Sequence, residues 1–437
     1  MRDVSQPDEH AGERLSLTGR GAWILALLLL VNVANFVDRQ LPFILITSIK
    51  ADLQLSDSQI ALMAGLAFAV VYSFASLPLA LAADRWNPRW VLAGSLAIWS
   101  AMTGLSGLVT NFVQLVLCRA GVAASEAGAT PSAHALIARY MQPRVRALAL
   151  AIFSLGVPIG SMLGLVLGGW INDVLDWRAA FFVVGLPGLI LAGIAWFVLP
   201  DPPRHAEPVD GEAQRAPSFM TTLGTLWSIP SMRYMAVASA FYACGSYAIN
   251  VFAPAFLMRV HGMSSSAAGL GMGVVFGVGG LIGTFAGGWF GDRLARRSEA
   301  WRLRVPAIGQ ALSLPTALGA WLVADPVLAV ALLTVSYMFG LLYFAPTFAA
   351  AQSLVPDRIR ATTSATLLFC LTIVGSSVGP LVVGWISDAL EPQYGELSLR
   401  YAMCSMAVTM ALSALFFYLG SRRISRDVAA RQAFTSS

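Results

Sequence analysis

Gly169-Trp170-Ile171-Asn172-Asp173 returns 215 residues later as Gly384-Trp385-Ile386-Ser387-Asp388, and each copy closes a long apolar run. A second pair of words opens those runs: Pro143-Arg144-Val145-Arg146-Ala147 before the first, Pro356-Asp357-Arg358-Ile359-Arg360-Ala361 before the second. A third pair, Asp84-Arg85 and Asp292-Arg293, recurs 208 residues apart. Three ordered matches at nearly one spacing make the chain a duplication. The runs around these words, such as 90–109 and 181–199, are about 20 residues long, enough to cross about 30 Å of hydrocarbon as helices. Hydrophobic residues make up 57% of the 437 and charged residues 12%, about half the charge of a soluble domain. Mean hydropathy is +0.70. A soluble fold has no means of hiding so much apolar surface.

The reading is an all-α membrane protein with twelve transmembrane helices in two pseudo-symmetric six-helix bundles. Spans are expected at 22–48, 57–83, 90–109, 111–138, 146–169, 179–199, 233–258, 265–290, 303–323, 327–350, 361–388 and 399–419. The halves then occupy 22–200 and 232–420, between an N-terminal tail (1–21), a polar linker (201–231) rich in Pro, Glu and Asp, and a basic tail (421–437). Of the 28 Lys and Arg, two lie deep in spans and four (Lys50, Arg178, Arg259, Arg400) fall on one side. The other twenty-two fall on the opposite side, which the positive-inside rule makes cytoplasmic, with both termini. The first apolar run continues beyond 20 residues through Asn35 and Asp38 and reads as a retained helix, not a cleaved signal. Cys118, Cys244, Cys370 and Cys404 sit inside apolar runs without paired spacing and read as packing residues. The basic balance follows topology, so nucleic acid is not an expected partner.

Ionisable residues deep in spans are the sharpest functional signal, because a charge at a helix centre costs about 2.5–3.5 kcal/mol on insertion scales. Asp38 and Arg39 lie in span one, within Asn35-Phe36-Val37-Asp38-Arg39-Gln40; Arg119 and Glu126 lie in span four. Two helical turns separate Arg119 from Glu126, which share a face about 10 Å apart. Asn35 and Arg39 also share a face. Antiparallel packing of spans one and four allows Asp38 with Arg119, or Arg39 with Glu126, and spacing alone does not choose. Permanent ion pairs that merely lock the first half are the structural alternative. The second half carries no such charge: by the repeat, Asn250, Ala253 and Pro254 stand opposite Asn35, Asp38 and Arg39. Tyr242, Tyr247, Asn250, Tyr343, Phe344 and Thr347 are its candidate pocket residues, although core packing suits any one of them equally.

A buried carboxylate gains proton affinity by desolvation and loses it beside an arginine. Asp38 and Glu126 are therefore the candidates for proton coupling. Arg39 and Arg119 are candidates for holding a solute anion or the deprotonated acid, since the guanidinium fork binds two oxygens at once. His134 and His261 have no partner at metal-ligand spacing, and no metal is expected. No nucleophile–base set or phosphate loop appears, and no enzyme is expected.

Over nearly its whole length the sequence resembles the major facilitator superfamily. That superfamily's loop motif, Gly-x-x-x-Asp-Arg followed by basic residues, appears as Gly288-Trp289-Phe290-Gly291-Asp292-Arg293 with Arg296 and Arg297. The first copy, Ala80-Leu81-Ala82-Ala83-Asp84-Arg85 with Arg89, has alanine for the glycine. The resemblance implies a cytoplasmic gate at Asp84, Arg85, Arg89, Asp292, Arg293 and Arg297; a basic loop that only sets topology is the plainer alternative. The Asn-Phe-Val-Asp-Arg core and the run from Arg119 to Glu126, on to Pro131-Ser132 and the Arg144/Arg146 loop, resemble the spinster-like branch. This implies proton-linked transport of an amphipathic, anionic solute of lysolipid or lipid-phosphate kind by alternating access. A multidrug exporter or organic-acid transporter on the same fold is the alternative. A monomer in the cell inner membrane is expected, with the bilayer and the solute as its partners and the proton as coupling ion in place of a cofactor.

Overall fold

The computed structural model describes residues 15–17, 19–201, 224, 227–355 and 360–435. Helices α1 (Arg20–Leu53), α2 (Asp57–Ala61), α3 (Phe68–Arg85), α4 (Pro88–Ser106), α5 (Phe112–Glu126), α6 (Ala129–Tyr140), α7 (Arg146–Ser154), α8 (Gly156–Val174) and α9 (Trp177–Val198) fall on the first six expected spans. A π-turn, Leu62–Ala67, joins α2 to α3. Helices α10 (Pro230–His261), α11 (Ser265–Val274), α12 (Gly280–Ala295), α13 (Trp301–Leu322), α14 (Pro326–Leu341), α15 (Phe344–Ser353), α16 (Arg360–Tyr394), α17 (Ser398–Cys404) and α18 (Met406–Ser421) fall on the other six. A second π-turn, Val275–Gly279, joins α11 to α12. Eight helical stretches among the described residues are long and apolar enough to cross a membrane. The other expected spans fall on α4, on α13 and on the pair α5–α6, which are 15 and 12 residues long.

Local chemistry fixes the helix starts. Ser56 and Gln59 form a reciprocal capping box at α2, Asn87 and Pro88 open α4, and Asp325 and Pro326 open α14. Gly262, at φ 64°, closes α10 in the left-handed conformation that glycine adopts without penalty. At 34 residues α1 is about 51 Å long, longer than the span expected there. Two further differences concern segments between and after spans. Residues 202–223 of the expected linker lie outside the described residues, and α10 starts at Pro230, inside that linker. The basic tail contains a helix, α19 (Ile424–Thr435), anchored where Asp427 accepts the Ser231 N–H at 2.9 Å and Ile424 is fully buried.

The chain forms two compact units whose boundaries cut helices as well as loops. The first holds Met1–Leu41, Val71–Gly164 and Arg178–Glu212. In it α8 lies close on α1: a Cβ added at Gly160 would stand 2.5 Å from the Val33 carbonyl oxygen, and one at Gly164 2.7 Å from that of Val37. Leu15 exchanges backbone hydrogen bonds with Tyr140 and Gln142, and the Tyr140 hydroxyl donates to the Pro200 carbonyl. The second unit holds Pro42–Val70, Leu165–Trp177 and Ala213–Ser437. There α16 lies close on α10 in the same manner, with Gly375 against Ala243 and Gly379 against Cys244. Its core includes Met235, Leu303, Leu371 and Phe417.

Candidate functional site

In the first unit, three helices converge on the middle of α1. Helix α1 contributes Asn35, Asp38 and Arg39; α4 contributes Thr103; α5 contributes Arg119 and, at its last turn, Glu126. Asp38 is 1% exposed. The Thr103 hydroxyl donates to its Oδ2, and Arg119 Nη1 donates to its Oδ1 at 3.4 Å. The neighbouring pair uses both forks of Arg39: Nε and Nη2 donate to Glu126 Oε2 at 3.2 and 3.1 Å. The Arg39 guanidinium also lies over the Tyr72 ring at 4.8 Å and the Phe36 ring at 5.3 Å, contacts worth about 0.5–2 kcal/mol each. Both cross-helix pairings left open by spacing are therefore present together.

The pairs differ in what they leave free. Asp38 and Arg119 are sealed on all sides, at 1% and 3% side-chain exposure. Arg39 keeps 26% of its side chain exposed, while Glu126 has none. Glu126 Oε1 and Asn35 Nδ2 are buried without a hydrogen-bond partner. An unmet buried polar atom costs about 1–3 kcal/mol, so a donor for one and an acceptor for the other would be gained on binding a proton, water or solute. Glu126 stands where the span breaks: α5 stops there, and Gly128 passes so close to Ser95 that a Cβ would lie 2.6 Å from its hydroxyl oxygen.

In the second unit, the rings of Tyr242 and Tyr343 meet at 4.1 Å, and Tyr343 is also 6.2 Å from Phe417. Tyr247 packs beside Gly375. Asn250 Oδ1 and Thr347 Oγ1 are buried and unpartnered. Tyr242 borders a cavity of about 20 Å³ shared with Ser246, Gln310, Ser313 and Ser336, the space of one water. Phe344 is partly exposed.

The described contacts of the residues expected at a gate are local. The side chains of Asp84 and Arg85 lie outside the described residues. Arg89 donates to the Trp196 carbonyl and to Asp201 Oδ1 at 3.2 Å, and Asn87 Nδ2 donates to the same Asp201 oxygen at 2.8 Å, tying α4 to the end of α9. Asp292 is largely exposed, 4.0 Å from Arg302; Arg293 lies over Trp289; Arg297 is exposed. Thr103 and Tyr72 were not among the sequence candidates. A lone hydroxyl in an apolar run is a weak signal, and only its turn toward Asp38 or Arg39 gives it meaning.

Buried acids and bases paired across a bundle of membrane-crossing helices define a carrier, a transporter rather than an enzyme. The chain belongs to the Major Facilitator Superfamily, whose family model matches residues 28–380, and within it resembles the spinster-like branch. It is 37% identical over 432 residues to an MFS-type efflux pump of Mycolicibacterium smegmatis, covering 98% of this chain and 97% of the relative. It is 26% identical over 431 residues to the sphingosine-1-phosphate transporter SPNS2 of Danio rerio, covering 92% and 84%. Among solved structures, it matches a bacterial homologue of the human lysosomal transporter Spinster in an inward-facing, unoccupied conformation. The TM-score there is 0.84 at 27% identity, over 93% of this chain and 98% of that one.

Proposed function

We propose that this protein carries an amphipathic, anionic solute of lysolipid or lipid-phosphate type across the cell inner membrane by alternating access, coupled to protons at Asp38 and Glu126. The observation that carries the reading is the Arg39–Glu126 pair, with one carboxylate oxygen engaged, the other bare, and the arginine a quarter exposed. A solute phosphate or carboxylate and the Glu126 carboxylate compete for the same guanidinium fork. Protonating Glu126 removes its claim on Arg39 and frees the arginine for the solute; releasing the proton reverses this. Asp38, which directly precedes Arg39 and is held by Arg119 and Thr103, is the second proton carrier. Tyr242, Tyr247, Asn250 and Tyr343 would supply the apolar and polar contacts for the solute's tail. The SPNS2 relative, by name a transporter of a lipid phosphate, supports the substrate class.

The test is transport of lysophosphatidate and sphingosine phosphate in proteoliposomes under an imposed pH gradient. The parent protein should respond to the gradient, and Asp38→Asn or Glu126→Gln should carry solute without regard to it. Both variants keeping the parent's gradient dependence would refute the coupling assignment. A second reading, export of apolar drugs, is favoured by the 37% identity to an efflux pump. It takes precedence if drugs move in the same liposomes and the lipid phosphates do not.

A further inference from the structure

A cavity of about 300 Å³ opens in the second unit beside the ends of three helices, α1 at Leu53, α10 at His261 and α16 at Tyr394. None of the residues assigned to transport lines it. Only two of its ten lining residues, Ala51 and Leu55, carry apolar side chains. Gln54, at φ 52°, and Gly395, at φ 54°, turn the chain beside it in the left-handed conformation.

The charges of the lining are layered by depth. Lys50 and Arg259 keep 19% and 9% of their side chains exposed and form the floor. Glu391 keeps 53% and Glu396 is exposed, and these two form the rim. Asp57, 1% exposed and outside the lining, accepts Arg259 Nη1 on both oxygens at 2.9 and 3.0 Å, Lys50 Nζ at 3.0 Å and the Ser387 hydroxyl at 2.7 Å. One carboxylate thus answers two cations, and the floor keeps a net positive charge. Glu391 stands 3.8 Å from Lys50, beyond hydrogen-bond reach. Cations in the last turn of a helix are ordinary, since they face the negative end of its dipole. The unusual feature is what Asp57 leaves over. Arg259 Nη2 and Thr47 Oγ1, on two residues that line the cavity, are buried and without a hydrogen-bond partner.

We propose that this cavity binds a small water-soluble zwitterion, with its carboxylate or phosphate against Arg259, Lys50 and Thr47 and its primary ammonium at Glu391 and Glu396. An anionic oxygen supplies the acceptor that Arg259 Nη2 and the Thr47 hydroxyl lack. A simple anion would have to settle below two glutamates, and a simple cation beside Lys50 and Arg259. A molecule bearing both charges meets a partner at each end, so the site selects by repulsion as well as by attraction. The volume is at the low end for ligand pockets, and the lining gives little hold to an alkyl chain. The occupant is therefore a free solute and not a lipid. The inference does not depend on which solute is carried across the membrane.

The experiment is isothermal titration calorimetry of the full-length protein in detergent micelles at low salt. Glycine, β-alanine, γ-aminobutyrate and O-phosphoethanolamine are the zwitterions, and propionate, methyl phosphate and propylamine are the controls that carry one sign of charge. At least one zwitterion should bind about tenfold or more tightly than every control. The double variant Glu391→Gln with Glu396→Gln should weaken that zwitterion about tenfold, and so should Thr47→Val, which keeps the shape of the side chain. The first changes only exposed groups and the second only a hydroxyl, so the Asp57 cluster stays intact in both. No binding by any zwitterion, a control that binds as tightly, or an affinity unchanged in both variants would overturn the proposal. Displacement of the zwitterion by lysophosphatidylethanolamine at lower concentration would also overturn it, making the cavity a site for a lipid headgroup.

Discussion

Replacing Arg119 by glutamine leaves Asp38 as a buried carboxylate without its cation. The ion pair spans 3.4 Å between side chains 3% and 1% exposed. At an effective dielectric near 20 the lost attraction is about 5 kcal/mol, and removing one partner of a buried pair typically costs about 3–5 kcal/mol. The Thr103 hydroxyl still donates to Asp38 and offsets part of this, so a loss near 3 kcal/mol is expected. Adding Asp38→Asn removes the stranded charge, and the double variant should recover at least half of the loss. The assay is equilibrium unfolding in mixed detergent micelles for the parent, the two single variants and the double variant, read as a double-mutant cycle. A loss below about 1 kcal/mol for Arg119→Gln, or additive losses in the double variant, would refute the pairing as a coupled unit.

Thr103→Val keeps the shape of the side chain and removes the hydroxyl that meets Asp38. Hydrogen bonds to charged groups contribute about 1.5–3 kcal/mol; a loss of that size in the same unfolding assay is expected, smaller in an Asp38→Asn background. Gly160→Leu forces a side chain into the α1–α8 contact, where even a Cβ would lie 2.5 Å from the Val33 carbonyl oxygen. It should lower stability by at least about 1–3 kcal/mol and reduce transport, whereas the same change at Gly94, where a Cβ meets nothing within 4 Å, should not.

Much of the architecture is legible in the sequence because membrane spans announce themselves by length. The twelve expected spans all fall on helices, and the four deep charges, Asp38, Arg39, Arg119 and Glu126, meet as two pairs. Spacing along α1 and α5 narrowed the partners but left helix rotation open, and rotation decides whether one pair or both form. Thr103 and Tyr72 were hidden because a single polar group in an apolar run has many uses. Lys50, Asp57 and Arg259 were hidden for a different reason. Charges at span ends are ordinary, and Lys50 and Arg259 were read only as topology signals. Nothing in the linear order shows that Lys50 and Arg259 both reach the Asp57 carboxylate, at 3.0 and 2.9 Å. Arg89 was expected at a gate; its bonds to Asp201 and the Trp196 carbonyl join residues 112 and 107 positions apart, which no local pattern predicts.

The repeated words bear on how two copies of one design come to differ: the Asp388 carboxylate accepts the backbone N–H groups of Asp57 and Ser58 at 2.7 and 2.9 Å, and the Asp173 carboxylate those of Ser265 and Ser266 at 3.0 and 2.7 Å. A carboxylate that grips main-chain amides is indifferent to the side chain mounted on them, because every residue except proline offers the same N–H. The obligation falls on the helix that supplies each carboxylate, on its aspartate and its glycine, while the side chain at the capped position is left open to drift. Position 57 holds an acid and its counterpart, Ser265, a hydroxyl, yet both are gripped in the same way. That latitude lets one copy carry a charge cluster, Asp57 with Lys50 and Arg259, where the other has a hydroxyl, while the backbone contact stays the same.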